Sequence, residues 1–505
     1  MINILKNPKG SRLAFHALLV FLSFAFVPSK TQAGEGITFH KNIASIIWNN
    51  CSNCHRPGQA GPFSLLDYND VRKRARQIKE VVIDGYMPPW HAKSEHLSYK
   101  DARKLGARDK KLLLDWIEQG LEEGNVSDAP EHPKFPNGWL AGEPDMVVSM
   151  PEVYEVYADG PDIYRNFVFP LSNKETLWLK AIEIRPTARP VVHHVLYFVD
   201  SSGKARERDA RDAKPGFSGM GFTSRLKPVG GWAVGGTAKM LPDGMAFEVP
   251  PNSDIVLQTH FHPSGKPEKE ATSLGLYLSE KPATRPFTGI QLPPKFGALA
   301  GIDIPAGESH YSVKDSFEIP VDVEAFGISA HAHYLGKQME MKAITPNGSE
   351  IELVRIDDWD FNWQEGYVFS KPVKLQAGTR IEAEVVWDNS EQNLFNPNSP
   401  PKRVKWGPFS YDEMGSVTLR VSPLKNGEFE EIKTALKDHQ TFSFLSSMLA
   451  RGSSSRRARS SFFMKQIMRF DENQNGAFDG DEIPKVKKAI KSFGLKFGDR
   501  LNNSF

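Results

Sequence analysis

The sequence predicts a multidomain protein with a small all-α domain, two tandem antiparallel β-sandwiches and a short α-helical tail. Three observations predict this class. The chain has 505 residues, too many for one domain at roughly 100–200 residues per domain. Amphipathic helical patterns are confined to the two ends of the chain. The centre alternates short apolar stretches, rich in β-branched and aromatic residues, with Pro/Gly turns.

Composition excludes several other classes. With 40% hydrophobic and 25% charged residues, the chain has enough apolar surface for folded cores and is neither disordered nor collagen-like. The formal net charge is only +2, so no basic footprint for nucleic acid is present and no nucleic-acid partner is expected.

The N-terminus has the pattern of an export signal. Three basic residues precede the uncharged apolar run Leu13–Val27, and the small residues of Thr31–Ala33 offer a cleavage site. We predict a signal peptide at residues 1–33 and an exported protein, in the periplasm or at the cell surface or outside the cell. An uncleaved anchor is the alternative, although the run is short for a membrane span.

The two cysteines fall in one motif, Cys51-Ser52-Asn53-Cys54-His55. C-x-x-C-H is the arrangement for covalent haem attachment, in which Cys51 and Cys54 hold the porphyrin and His55 binds the iron. A thioredoxin-like redox pair is the rival interpretation, but no βαβ pattern surrounds the motif. A zinc site would need two further ligands nearby.

Helical patterns surround this motif, at Phe39–Asn50, Val71–Asp84 and Lys110–Gln119. Together with the motif, they resemble a small class I-like cytochrome c domain over residues 36–125. Met87 is the only methionine between His55 and Gly120 and is therefore the predicted sixth iron ligand, with His91 or water as alternatives.

The central region predicts strands separated by turns. They are Tyr164–Phe169, Val191–Val199, Ile255–Phe261, Ser316–Ile319, Gln338–Ile344, Arg380–Trp387 and Gly415–Val421. Because this region is large for one sandwich, we predict two, at residues 161–285 and 286–425. Residues 126–160 and 426–460 are predicted linkers; the basic stretch Arg451–Ser460 in the second is a weak candidate for membrane or nucleic-acid contact.

Six of the 14 histidines form three tight groups on or beside predicted strands. They are His193-His194, His260-Phe261-His262 and His331-Ala332-His333. Residues i and i+2 of a strand share a face, so His331 and His333 can point together at one ion. His193 and His194 can do so only at a bulge or a strand end. Such imidazole groups suit copper, zinc, iron or nickel.

Four segments resemble the copper type II, ascorbate-dependent monooxygenases, the family of peptidylglycine α-hydroxylating monooxygenase and dopamine β-monooxygenase. They are Val192–Leu196, Leu257–Phe261, His331–Lys337 and Asp412–Met414. The resemblance implies two jelly-roll-type sandwiches and two copper ions. One copper would be held by His193, His194 and His260, and the other, catalytic one by His331, His333 and Met414.

The resemblance also implies the reaction, hydroxylation of a substrate C–H bond by O₂. Three departures qualify it. No cysteine remains for the family's disulfides. The positions of the family's substrate-anchoring arginine and tyrosine hold Ser329 and Thr418, so a peptidylglycine substrate is doubtful. His262 shares a strand face with His260 and competes with it as a ligand.

The C-terminal tail carries an EF-hand loop, Asp471–Glu482, in the predicted domain 461–495. Oxygen ligands fall at the required positions, and Gly476 permits the turn. The predicted flanking helices are Phe462–Phe470 and Ile483–Phe493. The predicted calcium ligands are Asp471, Asn473, Asn475, Ala477 through its carbonyl, Asp479 and Glu482.

These features predict an exported copper- and haem-dependent monooxygenase with a calcium site. Its substrate would be a small organic or peptide-like molecule, oxidised with O₂, with electrons relayed through the fused haem. The external donor would be ascorbate, another cytochrome or a quinol-linked protein. Two interpretations of other classes remain open, a haem/copper electron carrier without oxygenase activity and a copper-binding module with a cytochrome attached.

Overall fold

The computed structural model describes residues 36–452, except for residues 60, 136–137, 220–221 and 224–225, together with residues 468–470, 472, 485–486 and 488. The predicted signal peptide lies outside the described residues. So does the predicted calcium loop, apart from Glu472. Among the helices that the structure describes, none is long and apolar enough to cross a lipid bilayer.

The N-terminal unit is helical, and its helices begin and end within three residues of the predicted ones. They are a π-helical turn (Phe39–Ile43), α1 (Ala44–Asn50), α2 (Tyr68–Ile83) and α3 (Ala107–Glu118). Asp67 caps α2, since its side chain accepts a hydrogen bond from the Asp70 amide at 2.9 Å. The apolar face of α2 packs with Phe39 and Trp116 in one core.

The first sandwich pairs a four-stranded sheet, β1-β11-β4-β8, with a five-stranded one, β6-β3-β9-β5-β7, and a two-stranded ribbon, β10-β2, lies beside them. One apolar core lies between the two larger sheets. Its elements are β1 (Met146–Ser149), β2 (Tyr154–Val156), β3 (Ile163–Pro170), β4 (Leu177–Arg185), β5 (Val192–Asp200), α4 (Lys204–Asp209), β6 (Phe217–Ser218), β7 (Lys227–Ala233), β8 (Phe247–Val249), β9 (Asp254–Phe261), β10 (Glu268–Glu270) and β11 (Ser273–Leu278).

The second sandwich packs sheet β12-β21-β15-β18 on sheet β14-β19-β16-β17, with the ribbon β13-β20 beside them. Its strands are β12 (Thr288–Leu292), β13 (Asp303–Ile304), β14 (Tyr311–Glu318), β15 (Val323–Ala332), β16 (Gly336–Ile344), β17 (Glu350–Ile356), β18 (Gly366–Leu375), β19 (Arg380–Trp387), β20 (Val404–Lys405) and β21 (Gly415–Pro423). Helix α5 (Phe429–Gly452) follows. Short 3₁₀ turns occupy Val126–Asp128, Pro294–Gly297, Asn426–Glu428 and Met468–Phe470.

The two predicted linkers contain regular structure. Strand β1 pairs antiparallel with β11, so the first sandwich begins inside the predicted linker 126–160. Helix α5 lies inside the predicted linker 426–460, where Ile432 joins the core of the second sandwich. Neither segment has a strong periodic apolar pattern, so packing against the sandwiches determines its structure.

A docking segment, residues 91–103 of the N-terminal unit, lies against the second sandwich. Lys93 and Arg355 exchange two backbone hydrogen bonds of 2.8 Å, as neighbouring strands do. Tyr99 is 8% exposed in the core of that sandwich, and its hydroxyl donates to the Leu353 carbonyl at 2.7 Å. The helical unit is therefore anchored on the second sandwich by main-chain and core contacts.

The two sandwiches also contact each other. The register of β15 shifts between Ala325 and Gly327, where Phe326 is the extra residue. Phe326 packs with Leu241 and Met245 of the first sandwich in a small buried apolar cluster. This bulge re-aims one large side chain out of its own core and into the contact between the domains.

Candidate metal centre

Three histidines of the first sandwich come together at the ends of two paired strands. His194 on β5 lies directly opposite His260 on β9, and the register shifts between Val192 and His194, so His193 is the bulged residue. A bulge lets consecutive side chains turn to one side. The structure thus supplies the geometry that the sequence required for His193 and His194 to share an ion.

The three imidazoles present the same ring atom to one point. His193 Nδ1 lies 3.1 Å from His194 Nδ1, and His260 Nδ1 lies 3.3 Å from it. One ligand atom from each of the three lies within 4.8 Å of the others. Two imidazole nitrogens held tetrahedrally at about 2.0–2.1 Å from a metal ion are about 3.3 Å apart, so the spacing fits a bound transition metal.

Hydrogen bonds at the far side of two rings fix their tautomers. Asn362 donates through Nδ2 to Asp360 Oδ1 at 2.8 Å, which turns its Oδ1 toward His193 Nε2 at 3.2 Å. Asp162 Oδ2 accepts from His260 Nε2 at 2.8 Å. Both rings therefore carry their proton on Nε2 and aim a lone pair at the common point.

This arrangement fits a bound cation. The lone pairs of His193 Nδ1 and His260 Nδ1 both face His194 Nδ1, which can donate one proton at most, so at most one of the two short contacts is a hydrogen bond. A metal ion between the three nitrogens would be coordinated by all three. Neutral imidazole is also the form that metals bind, and burial, aided by the other imidazoles, lowers the pKa of His193 to about 4.

His262, the competing ligand, is turned elsewhere. Its side chain is 62% exposed, and its Nδ1 hydrogen-bonds to Asp162 Oδ1 at 2.8 Å. Asp162 therefore holds both His260 and His262. Burial would raise the pKa of the Asp162 carboxyl, but hydrogen bonds from His260, His262 and Ser410 outweigh it and hold that pKa well below its usual range.

The second pair of histidines lies at the end of β15. His331 pairs with Ser416 of β21. The last pair of this ladder is Ala332 with Gly415, and His333 and Met414 are the next residues beyond it on the two strands. Residues directly opposite in an antiparallel pair share a face, so the register continued by one residue would set Met414 beside His333. The rings of His331 and His333 lie 5.2 Å apart.

The tautomers of this pair are the opposite of those in the first sandwich. His331 Nδ1 donates to Gln364 Oε1 at 2.5 Å, and His333 Nδ1 donates to the Asp412 carbonyl at 3.1 Å. Both rings thus keep a free lone pair on Nε2. Burial lowers the pKa of His331 to about 4, against the Gln364 hydrogen bond, and that of His333 to about 3. Both rings are neutral at physiological pH.

Glu413 holds the turn that follows His333. This fully buried side chain accepts hydrogen bonds from the amides of His333 at 3.1 Å and Leu335 at 2.6 Å. It also accepts from Trp387 Nε1 at 2.9 Å. Burial raises the pKa of the Glu413 carboxyl to about 8, although these donors oppose the shift. Its contacts fix His333 next to the segment that carries Met414.

The two histidine sites face each other across Phe361. The Phe361 ring stacks on His193 at 4.7 Å and lies 5.8 Å from the His333 ring. Burial lowers the pKa of His194 well below its usual value. His260 and His193 lower it further, and so do His331 and His333 of the second site. The sites are thus within electrostatic reach of each other.

The segment that follows the predicted haem motif contacts the first sandwich. Gln59, four residues after His55, accepts a hydrogen bond from Arg189 at 3.3 Å. Burial raises the pKa of the Cys54 thiol, Arg103 opposes this, and Glu365 of the second sandwich adds to it. The pKa of this thiol therefore depends on charges of the helical unit and of the second sandwich.

The motif's residues suit covalent haem attachment. Cys51 and Cys54 are free thiols, and His55 Nδ1 is buried without a hydrogen-bond partner. His91, the alternative ligand, is engaged with the second sandwich through a 3.0 Å contact to the Asp358 carbonyl. Met87 follows α2, and its amide donates to the Val81 carbonyl at 3.0 Å. Iron binding by His55 and Met87 remains a prediction.

Several residues of the site could not be predicted from the sequence. Asp162, Asn362, Gln364 and Phe361 stand in no motif and lie far along the chain from the histidines that they contact. Glu413 directly precedes the predicted ligand Met414, but nothing in the sequence distinguishes it from an ordinary surface glutamate. The predicted calcium ligands Asp471, Asn473, Asn475, Ala477, Asp479 and Glu482 lie outside the described residues.

Comparison with known proteins agrees with this chemistry in one domain. Residues 309–414 match the family model of the copper type II ascorbate-dependent monooxygenase, C-terminal domain. The matched stretch contains His331, His333 and Met414. By this match the chain is a copper-dependent monooxygenase, that is, an oxidoreductase.

Other comparisons add no argument. No curated protein matches the chain. The chain is similar to the VP2 subviral particle of infectious bursal disease virus, at 11% identity over 58% of this chain and 74% of that chain, with a TM-score of 0.18. It is also similar to recombinant peptide:N-glycanase F, at 10% identity over 55% and 96%, with a TM-score of 0.26. Scores this low support neither fold nor function.

Proposed function

We propose that this chain is an exported monooxygenase that uses two copper ions and a covalent haem to hydroxylate a C–H bond with O₂. The first copper would be held by His193, His194 and His260, and the second by His331, His333 and Met414. The observation that carries the proposal is the convergence of three Nδ1 atoms on one point, with 3.1 and 3.3 Å between neighbours.

The chain's own residues divide the work between the two sites. The first site offers only imidazole ligands, which hold copper in both oxidation states. The second adds the Met414 thioether, a soft ligand that favours Cu(I). Bound copper would supply one-electron chemistry and the activation of O₂. The Phe361 ring, 4% exposed, packs between the two groups of histidines.

The fused helical unit supports an electron relay. Haem at Cys51, Cys54, His55 and Met87 would pass electrons to the first copper, and the tether would keep it at a high effective concentration. The contact of Gln59 with Arg189 joins the haem motif to the segment just before His193. The external donor would be ascorbate, another cytochrome or a quinol-linked protein, and the substrate a small organic or peptide-like molecule.

Two predicted features stay within the proposal. Residues 1–33 would direct export to the periplasm or the cell surface, and Asp471–Glu482 would bind calcium. An electron carrier without oxygenase activity is the second candidate, because a haem and copper ions could pass electrons without oxygenating a substrate.

Oxygen uptake tests the proposal. With copper and ascorbate, and with candidate substrates screened for a hydroxylated product, Met414→Ala should abolish product formation. Met240→Ala, an exposed methionine, should leave it unchanged. Redox cycling of the wild type without oxygen uptake would favour the carrier, and product formation intact in Met414→Ala would refute the assignment of the second site.

A further inference from the structure

One loop of the second sandwich touches both histidine sites and the helical unit. This bridging loop, residues 360–365, is the last part of the connection from β17 to β18. Within six residues it supplies Asn362 to His193, Gln364 to His331 and Glu365 to Arg103. The first of these partners lies in the first sandwich, the second in the second sandwich and the third in the docking segment.

Gln364, near one end of the loop, fixes the tautomer of the His331 ring. Gln364 donates through Nε2 to the Phe361 carbonyl at 3.1 Å, which fixes the orientation of its amide. Its Oε1 then faces His331 Nδ1 and accepts a hydrogen bond from the ring N–H. Because the proton is held on Nδ1, the His331 lone pair lies on Nε2 and is free to bind a metal ion.

Asn362, near the other end of the loop, fixes the tautomer of His193 in the first sandwich, also through its side-chain amide. Both the amide and the Nδ2 group of Asn362 donate to Asp360 Oδ1 at 2.8 Å, so Asn362 Oδ1 is left to accept from His193 Nε2. The His193 lone pair then lies on Nδ1, toward His194. Two side-chain amides of one loop thus select opposite tautomers in two different domains.

The loop is braced between these ends and at its last residue. Phe361 stacks on His193 with an interplanar angle of 27°. Glu365 is an almost buried carboxylate that pairs with both terminal nitrogens of Arg103 and with Lys239 of the first sandwich at 3.5 Å. A bidentate arginine–carboxylate pair fixes geometry as well as charge.

We propose that the bridging loop is a shared positioning element: Asn362 and Gln364 orient the histidines of the two copper sites, and the Glu365–Arg103 pair makes the second of them sensitive to the docking of the helical unit. This inference rests on the proposed function, because it concerns how that function's two sites are held. Asn362 and Gln364 act through the histidines and are positioning residues, not catalytic ones.

Site-selective copper binding tests the two amides. Protein carrying His331→Ala and His333→Ala keeps only the first site, and protein carrying His193→Ala and His260→Ala keeps only the second. Copper affinity and the Cu(II) EPR spectrum are measured on each. Asn362→Ala should weaken the first site about tenfold or more and leave the second unchanged, and Gln364→Ala should do the reverse. Gln364→Glu, which keeps an acceptor oxygen, should restore the second site.

The link to the helical unit has a matched pair of variants in the docking segment. Arg103→Met should alter the EPR spectrum and lower the copper affinity of the second site, since it releases Glu365 next to Gln364. Lys93→Met removes an ion pair with Asp357 from the same segment and should change neither. Thermal unfolding of the copper-free proteins checks that each variant is folded.

The outcomes separate this inference from the function on which it rests. A wild type that binds no copper at these histidines refutes the proposed function. A wild type that binds two coppers, with Asn362→Ala and Gln364→Ala binding copper as tightly and with the same spectra, refutes the role of the loop alone. Equal weakening of both sites by either amide variant also refutes it, because that result reports loss of loop structure. Arg103→Met matching Lys93→Met refutes the link to the helical unit.

Discussion

Asp162 Oδ2 lies 2.8 Å from His260 Nε2, on the side of the ring opposite the three converging Nδ1 atoms. Asp162 comes just before β3, whereas His260 lies on β9, and these strands pair along their whole length. The carboxylate accepts a hydrogen bond from Nε2 and thereby holds the orientation and the tautomer of the ring. Ser410 of the second sandwich donates to the same oxygen at 2.8 Å, so this carboxylate also joins the two domains.

Replacement of Asp162 should weaken the first copper site. In Asp162→Ala the proton on His260 is no longer held on Nε2, and we expect copper affinity at this site to fall about tenfold to a hundredfold. Titration of the metal-free protein with copper measures this. His262→Ala is the control, since His262 contacts Asp162 but lies outside the cluster, and its affinity should equal that of the wild type. Equal losses in both variants would contradict the ligand set.

The histidine clusters show how much of the candidate site can be predicted from the sequence. Strand periodicity placed His331 and His333 on one face and demanded a bulge or strand end for His193 and His194, and β5 has its bulge there. Both conclusions follow from local geometry, which a sequence contains. The predicted β-rich centre is also confirmed by the strands that the structure describes.

The rest depends on contacts between distant segments. Gln364 and Asn362 are ordinary loop residues until the fold brings them to His331 and His193, and nothing in their spacing marks them. Similarly, Tyr99 belongs to the helical region in sequence but to the core of the second sandwich in space. Periodicity describes the faces of one element and contains no information on which distant element covers them.

Removal of the Glu413 carboxyl group should destabilise the second sandwich. Glu413→Ala leaves the buried amides of His333 and Leu335 and the Trp387 indole without an acceptor, at a cost of about 3 kcal/mol or more. Chemical denaturation of the copper-free protein measures the free energy of unfolding. Glu318→Ala, an exposed change on β14, should cost less than about 0.5 kcal/mol. Similar free energies of unfolding for the two variants would contradict the role given to Glu413.

The stability of the folded chain should depend slightly on pH through Asp357. Lys93 Nζ donates to Asp357 Oδ2 at 2.7 Å and thereby lowers the pKa of that carboxyl. A lowered pKa in the folded state stabilises the fold above the ordinary value of about 4, and this contribution is lost as the pH falls through the lowered value. Lys93→Met should therefore lower the thermal midpoint slightly at pH 7.

The difference between Lys93→Met and the wild type should shrink toward zero as the pH falls through the lowered pKa of Asp357, below which the carboxyl is protonated in both. Because the pair is exposed, its contribution at pH 7 should be below about 1 kcal/mol. Lys281→Met, an exposed change elsewhere, controls for loss of a positive charge. A difference that grows as the pH falls would show that the sign is wrong.

Loss of the haem thiols should slow electron delivery without emptying the copper sites. The double variant Cys51→Ala/Cys54→Ala should carry no covalent haem by absorbance after denaturation, yet should still bind copper. Rapid mixing of the oxidised wild type with less than one equivalent of reductant should show the haem reduced first and then reoxidised as Cu(II) is reduced to Cu(I). Ascorbate-driven turnover that is undiminished in the double variant would remove the role of the haem as a relay.

Metal content tests the central claim most directly. Elemental analysis of the purified, copper-loaded chain, together with Cu(II) EPR, should find two coppers per polypeptide beside one haem iron. His260→Ala and His331→Ala should each lose the signal of a different copper. Iron without ever more than a trace of copper, or two coppers unaffected by either substitution, would contradict the account of two histidine sites facing each other across Phe361.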